Sequence, residues 1–127
     1  MESSVKWVGI WPPEGYHKEE QLQADCAQWF HNNYHAHRRM LFHVDNNSWN
    51  NIVGAKKKAL GVIPGPSDFV LILDGVVVFV EMKLPGRSQT PEQIDFMNKV
   101  LARGHSYFIV EYFSQFKNLI TTLIGEP

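Results

Sequence analysis

Asp68-Phe69-Val70-Leu71-Ile72-Leu73-Asp74-Gly75-Val76-Val77-Val78-Phe79-Val80-Glu81-Met82-Lys83 decides how this chain folds. Two runs of β-branched, leucine and aromatic residues flank Asp74-Gly75. Asp-Gly accepts the positive φ angles of a two-residue turn whose twist suits paired strands, so the stretch predicts a tight β-hairpin. Both runs are apolar at almost every position, the pattern of central strands covered on both faces.

Acids interrupt this hairpin at both ends. A turn centred between residues 74 and 75 leaves Asp68 and Glu81 equidistant from it, and therefore opposite each other. Glu81 and Lys83 are two residues apart and leave the same face of the sheet. Two neighbouring carboxylates repel each other, and burial adds to that cost. A hard divalent cation removes the conflict, and paired oxygen ligands with open positions suit Mg²⁺ or Mn²⁺. Such an ion can bind a phosphodiester oxygen and activate water, with Lys83 orienting that water or meeting negative charge in the transition state. The same three residues read equally well as a structural ionic cluster at a strand end.

Working outward, residues 17 to 33 are predicted to form a helix. Glu19, Leu22, Gln23, Cys26, Ala27 and Phe30 repeat at steps of three and four and share one face. Glu19 and Gln23 are polar on that otherwise apolar stripe, and buried polar groups need a partner. Residues 40 to 44 read as a short strand, 50 to 58 as a short helix or loop, and Gly61, Pro64, Gly65 and Pro66 as breakers. A second helix spans 88 to 101, with Thr90 as N-cap, Pro91 at its first position and Gly104 beyond its end. A strand over 106 to 112 and a helix over 114 to 124 follow. The order α-β-β-β-α-β-α predicts a mixed central sheet flanked by helices, an α/β fold. Residues 1 to 127 are expected to form one domain, with an irregular leader over 1 to 16.

Composition limits the function classes. The chain is 44% hydrophobic and 20% charged with net charge −1, an ordinary globular balance. Any nucleic-acid contact must come from local clusters, and Arg38-Arg39, Lys56-Lys57-Lys58 and the group Lys83, Arg87 are the candidates; the lysine run also reads as a solvated face. The single cysteine, Cys26, excludes an internal disulfide framework. With no long apolar segment, a cytoplasmic location is expected, the host cell's cytoplasm were the chain a phage product, and no membrane partner.

At these residues a family resemblance emerges. Gly65-Pro66-Ser67-Asp68 followed by Glu81-Met82-Lys83 resembles the PD-(D/E)XK nuclease motif, and more narrowly the virus-type replication-repair nuclease domain, VRR-NUC. Glu19 to Gln23, Phe42 to Asn46, Gly54 to Gly61 and Ser88 to Gln93 extend the likeness over roughly residues 17 to 113. Ser67 departs from the family's proline. The resemblance implies a restriction-endonuclease-like core and Mg²⁺- or Mn²⁺-dependent hydrolysis of DNA phosphodiesters. It implies Asp68, Glu81 and the backbone carbonyl of Met82 as metal ligands and Lys83 as catalytic lysine. Glu19 corresponds to an acid on the first helix that joins the site; Glu20 is the alternative, about 100° away around the helix. Gln93 corresponds to a helix glutamine beside the active site, although Thr90-x-x-Gln93 is also a capping box in its own right. The resemblance further implies a homodimer acting on branched DNA, in the manner of Holliday-junction resolvases, with a flap nuclease as the variant.

Three other readings stand beside these. Asn46 reads either as a phosphate contact or as turn chemistry. His31, His35, His37 and His43 with Cys26 suggest zinc by composition, but show no zinc-type spacing. Trp7 and Trp11 suit a docking surface, and a non-catalytic nucleic-acid-binding module is the other alternative to an enzyme.

Overall fold

The computed structural model describes residues 16 to 44 and 51 to 127. Residues 1 to 15 of the leader, with Trp7 and Trp11, and Asn46 lie outside the described residues. Helix α1 is Glu19–Asn33, followed by a 3₁₀ helix, His35–Met40, and strand β1, Leu41–His43. Helix α2 is Asn51–Ala59, and the hairpin strands are β2, Phe69–Leu73, and β3, Val76–Met82. Helix α3 is Pro91–Ala102, strand β4 is Ser106–Val110, and helix α4 is Phe113–Ile124.

The four strands form one sheet in the order β1-β2-β3-β4. β1 and β2 are antiparallel, as are β2 and β3, whereas β3 and β4 run parallel through the α3 crossover. The sheet is therefore mixed, as the element pattern predicts. The hairpin register runs from Leu73↔Val76 to Phe69↔Val80 about Asp74-Gly75. Gly75 has φ +75°, which the two-residue turn requires.

One face of the sheet carries the core. Phe69, Leu71, Val78, Val80, Met82 and Val110 meet Leu22, Cys26 and Phe30 of α1 and Phe113, Phe116 and Ile120 of α4. The α1 stripe is therefore buried as its periodicity predicts. Trp29 sits edge-on to Tyr34, Phe113 and Phe116 and binds the two helices together.

The opposite face differs from expectation. Phe96 of α3 packs on Phe79 and Tyr107 and covers the β3–β4 half. Toward β1 the face is open: Ile72 is 42% exposed and Phe42 45%. An apolar sequence reports what a strand can bury, and α3 is too narrow to cover all four strands. Most strand and helix ends shift by a residue or two, which is ordinary for termini, and the helix read from 88 starts three residues later, at Pro91 behind its Thr90 cap. No helix among the described residues is long and apolar enough to cross a membrane.

Candidate active site

Asp68 precedes β2, Glu81 is the last residue but one of β3, and Lys83 follows that strand. The hairpin register carries Asp68 and Glu81 to one edge of the sheet on the face away from the core. Asp68 Oδ2 accepts the backbone N–H of Met82 at 2.7 Å, which holds the carboxylate across the strand pair. Ser67 is fully buried and donates its hydroxyl to the Phe69 carbonyl at 2.9 Å. The residue that departs from the motif's proline thus ties the strand entry by a hydrogen bond, and Asp68 keeps its place.

The loop before Asp68 is docked by a close approach. Gly65 has φ +86°, and a Cβ there would lie 2.7 Å from the Glu92 backbone. Only glycine meets both conditions, so the breaker seen in the sequence is a seam between this loop and the start of α3.

Gln93 reaches Glu81 from that helix start. Its Oε1 accepts the Thr90 N–H at 2.9 Å, and its own N–H donates to Thr90 Oγ1 at 3.2 Å. Its Nε2 donates to Glu81 Oε2 at 3.1 Å. The capping box and the contact to Glu81 are the same side chain. The cap fixes the amide oxygen, which turns the amide nitrogen toward the carboxylate.

Glu81 is only 2% exposed and Lys83 8%. Glu81 Oε1 is buried with no hydrogen-bond partner among the described residues beyond the Asp68 carboxyl. Burial and the neighbouring Asp68 carboxylate push the Glu81 acid up to about 9, while the Lys83 ammonium pulls it down by less. Burial likewise raises Asp68, opposed by its hydrogen bond from Met82. The Glu19 carboxylate raises both acids, so the α1 N-terminus faces the pair. Glu20 contributes to neither acid and lines a groove on the flank of α1.

The structure thus brings Asp68, Glu81, Lys83, Gln93 and, at longer range, Glu19 to one place. No three His, Cys, Asp or Glu side chains among the described residues form a ready metal cage. The histidines do not assemble either: α1 ends at Asn33, so His31 and His35 share no helix face. Arg87 is exposed in the turn after Lys83, where its N–H meets the Leu84 carbonyl at 3.1 Å. Lys56 and Lys58 are exposed on α2, and Lys57 is half-buried there.

Two neighbours of the acids escape the sequence reading. Tyr107 lies on the acid-bearing face of β4, paired with Phe79, and its hydroxyl accepts from Gln89 Nε2 at 3.4 Å. Burial, then Glu81 and Asp68, push its phenol up. His43 Nδ1 lies 2.8 Å from the Asp68 carbonyl. Tyr107 depends on a parallel pairing across a helix, for which no local signal exists. His43 sits in a residue block that the family likeness includes, but its partner follows from strand pairing alone.

A mixed sheet with helices on its faces, and acids at the end of a β-hairpin, defines a restriction-endonuclease-like α/β fold. The chain shares that fold with solved VRR_NUC structures. It is similar to a "VRR_NUC domain protein" with TM-score 0.69 and 19% identity, over 84% of this chain and 87% of that one. It is also similar to a "VRR_NUC domain" with TM-score 0.55 and 23% identity, over 80% of this chain and 92% of that one. No family model and no curated protein matches the sequence.

Proposed function

We propose that this chain is a divalent-metal-dependent nuclease that hydrolyses DNA phosphodiesters. One observation carries the reading: two buried acids, Asp68 and Glu81, lie within hydrogen-bonding reach of each other, and Glu81 Oε1 has no other partner among the described residues. Buried polar groups are almost always satisfied, and an exception asks for an ion or a role. The likeness in fold to VRR_NUC domains supports the same reading.

The donor set suits a hard cation. Asp68, Glu81 and the Met82 carbonyl would hold it, Glu19 would face it through water, and the cation would keep several waters of its own, as Mg²⁺ and Mn²⁺ do. Bound there, it would neutralise phosphodiester charge and lower the pKa of water. The chain's own residues do the rest. Gln93 keeps Glu81 Oε2 turned toward the pair. Lys83, nearly buried, presents its ammonium to the attacking water or the phosphate oxygens. Arg87 and the lysines of α2 would steer the DNA backbone.

Branched DNA is the preferred substrate class under this reading, since the resembled family includes junction-cutting homodimers whose twofold axis suits paired cuts. The test is cleavage of a four-way junction, a flap and a plain duplex with Mg²⁺ or Mn²⁺. Asp68→Asn is expected to keep the fold and lower cleavage by roughly three orders of magnitude or more, as loss of a metal ligand implies. Cleavage that survives this change, or wild-type binding of DNA without any cutting, would overturn the reading.

A further inference from the structure

Strand β4 is an edge of the sheet among the described residues, and nothing in its sequence blunts that edge. Ser106 to Val110 holds no charged residue and no proline, the devices by which exposed edges avoid pairing. Its outer surface is apolar: Phe108 is 36% exposed and Ile109 43%. Val110 turns its carbonyl inward, where the Lys83 N–H donates to it at 3.0 Å. Backbone groups alternate in direction along a strand, so Tyr107 and Ile109 send theirs to the free edge.

Helix α3 continues the patch. Glu92, Asp95 and Lys99 line its flank toward Ile63 and Pro64, on the β2 side. Phe96 packs down on Phe79 and Tyr107. At about 100° per residue, Ile94 and Leu101 fall on the other flank, toward the β4 edge. They are 42% and 49% exposed, whereas the positions turned to solvent, Asn98 and Ala102, are polar or small.

The patch complements itself. In an antiparallel pairing of two β4 strands about Phe108, Tyr107 lies opposite the second copy's Ile109, and their outward backbone groups close a ladder. Phe108 meets its own counterpart on the other face. At the ends His105 lies opposite the second copy's Glu111. The Val77 N–H donates to His105 Nδ1 at 3.1 Å, which leaves the Nε2 proton for that carboxylate. The helices fit as well. α3 lies over β3 and β4, so its two copies come about 10 Å apart, two strand spacings, which is a helix-packing distance.

The geometry points to a twofold dimer of this chain in which two β4 edges join two four-stranded sheets into one. A second copy is the occupant because strand, helix flank and end charges are each matched by themselves about one axis. Glu81 is paired with Ile109, so both acid pairs lie on the same face of the joined sheet, about 16 Å apart by strand spacing. That this suits paired cuts rests on the nuclease reading; the contact itself does not.

Sedimentation equilibrium of the full chain reads the contact without DNA. The wild type is expected at twice the chain mass of 14.6 kDa. Leu101→Lys combined with Ile109→Lys should sediment as a monomer with an unchanged far-ultraviolet circular dichroism spectrum. Ile72→Lys, at a position 42% exposed on the open β1–β2 face, should stay dimeric. Phe108→Cys tests the register and carries the proposal should the lysine variant misfold. Its backbone groups point inward, so the two copies form a non-hydrogen-bonded pair with Cα atoms about 4.5 Å apart, within disulfide range. Under mild oxidation it is expected to cross-link about tenfold faster or more than Ser106→Cys, whose copies lie four residues apart along the strands. Cys26 is fully buried and stays silent. A monomeric wild type, a dimer that survives the double lysine change, or equal cross-linking at the two positions overturns the interface. A monomer that cuts DNA overturns the interface alone, and a dimer that cuts none overturns the nuclease reading alone.

Discussion

Glu81 holds a charge conflict that the protein alone does not resolve. It is 2% exposed, has one oxygen held by Gln93, and beyond that meets, among the described residues, only the Asp68 carboxyl, with which it can share a proton. Without a cation the acid is easier to protonate than to ionise, and the sign of the stability effect follows. Its folded-state pKa is raised from 4.5 to about 9. The protonated form therefore stabilises the fold fully below about pH 4.5, and that contribution is lost as pH climbs toward 9. In EDTA the wild type is expected to melt at a lower temperature at pH 8 than at pH 6. Glu81→Gln keeps an oxygen for Gln93 and has no charge to bury, so its melting temperature should exceed that of the wild type at pH 8 and fall less between the two pH values. Thermal melts of both proteins in EDTA check this, and a wild type more stable than Glu81→Gln at pH 8 would count against the raised acid.

The helix start of α3 shows how far an element could be read from its sequence. Thr90-Pro91-x-Gln93 gives the cap, the first turn and the helix direction, and all three are found. The local pattern cannot say what lies across the sheet from the cap. Gln93 as a capping residue and Gln93 as a neighbour of Glu81 were alternatives in sequence, and in space they are one arrangement. The two functions separate by substitution. Thr90→Ala removes the cap alone and should cost about 1 kcal/mol of stability. Gln93→Ala removes the cap bond and the Glu81 contact together. It is expected to cost at least as much stability and, beyond that, to lower Mg²⁺-dependent cleavage about tenfold or more, as changes beside a metal ligand do. Equal cleavage by the two variants would confine Gln93 to capping. Hairpin and site differ in legibility for the same reason. The Asp74-Gly75 turn gives the register that joins Asp68 to Glu81, because both strands are contiguous in sequence. Tyr107 and His43 reach the acids through strand pairs joined by long, helix-containing connections, and neither the open β1–β2 face nor the Gly65 seam leaves a mark in periodicity.

At the scale of the molecule, stability and the candidate site share one hairpin. Val78, Val80 and Met82 face the core formed with α1 and α4, while Glu81 leaves the other face of the same strand. A ligand that binds only the folded arrangement raises the melting temperature in proportion to its occupancy. Here the ligand also competes with protons, since the two acids are raised by burial and by each other. Mn²⁺ or Mg²⁺ is therefore expected to raise the wild-type melting temperature, by more at pH 8 than at pH 6, and to release protons on binding. A stabilisation of 1 kcal/mol corresponds to roughly 4 °C for a chain of this size, so a site filled to a hundred times its dissociation constant gives a shift of about 10 °C. Asp68→Asn with Glu81→Gln removes both charges and should abolish the shift at either pH while melting as one cooperative unit. Titration calorimetry in two buffers of different ionisation enthalpy reads the released protons directly. A cation-induced shift that is the same at both pH values, or that persists in the double variant, would place the ion somewhere other than between these two carboxylates.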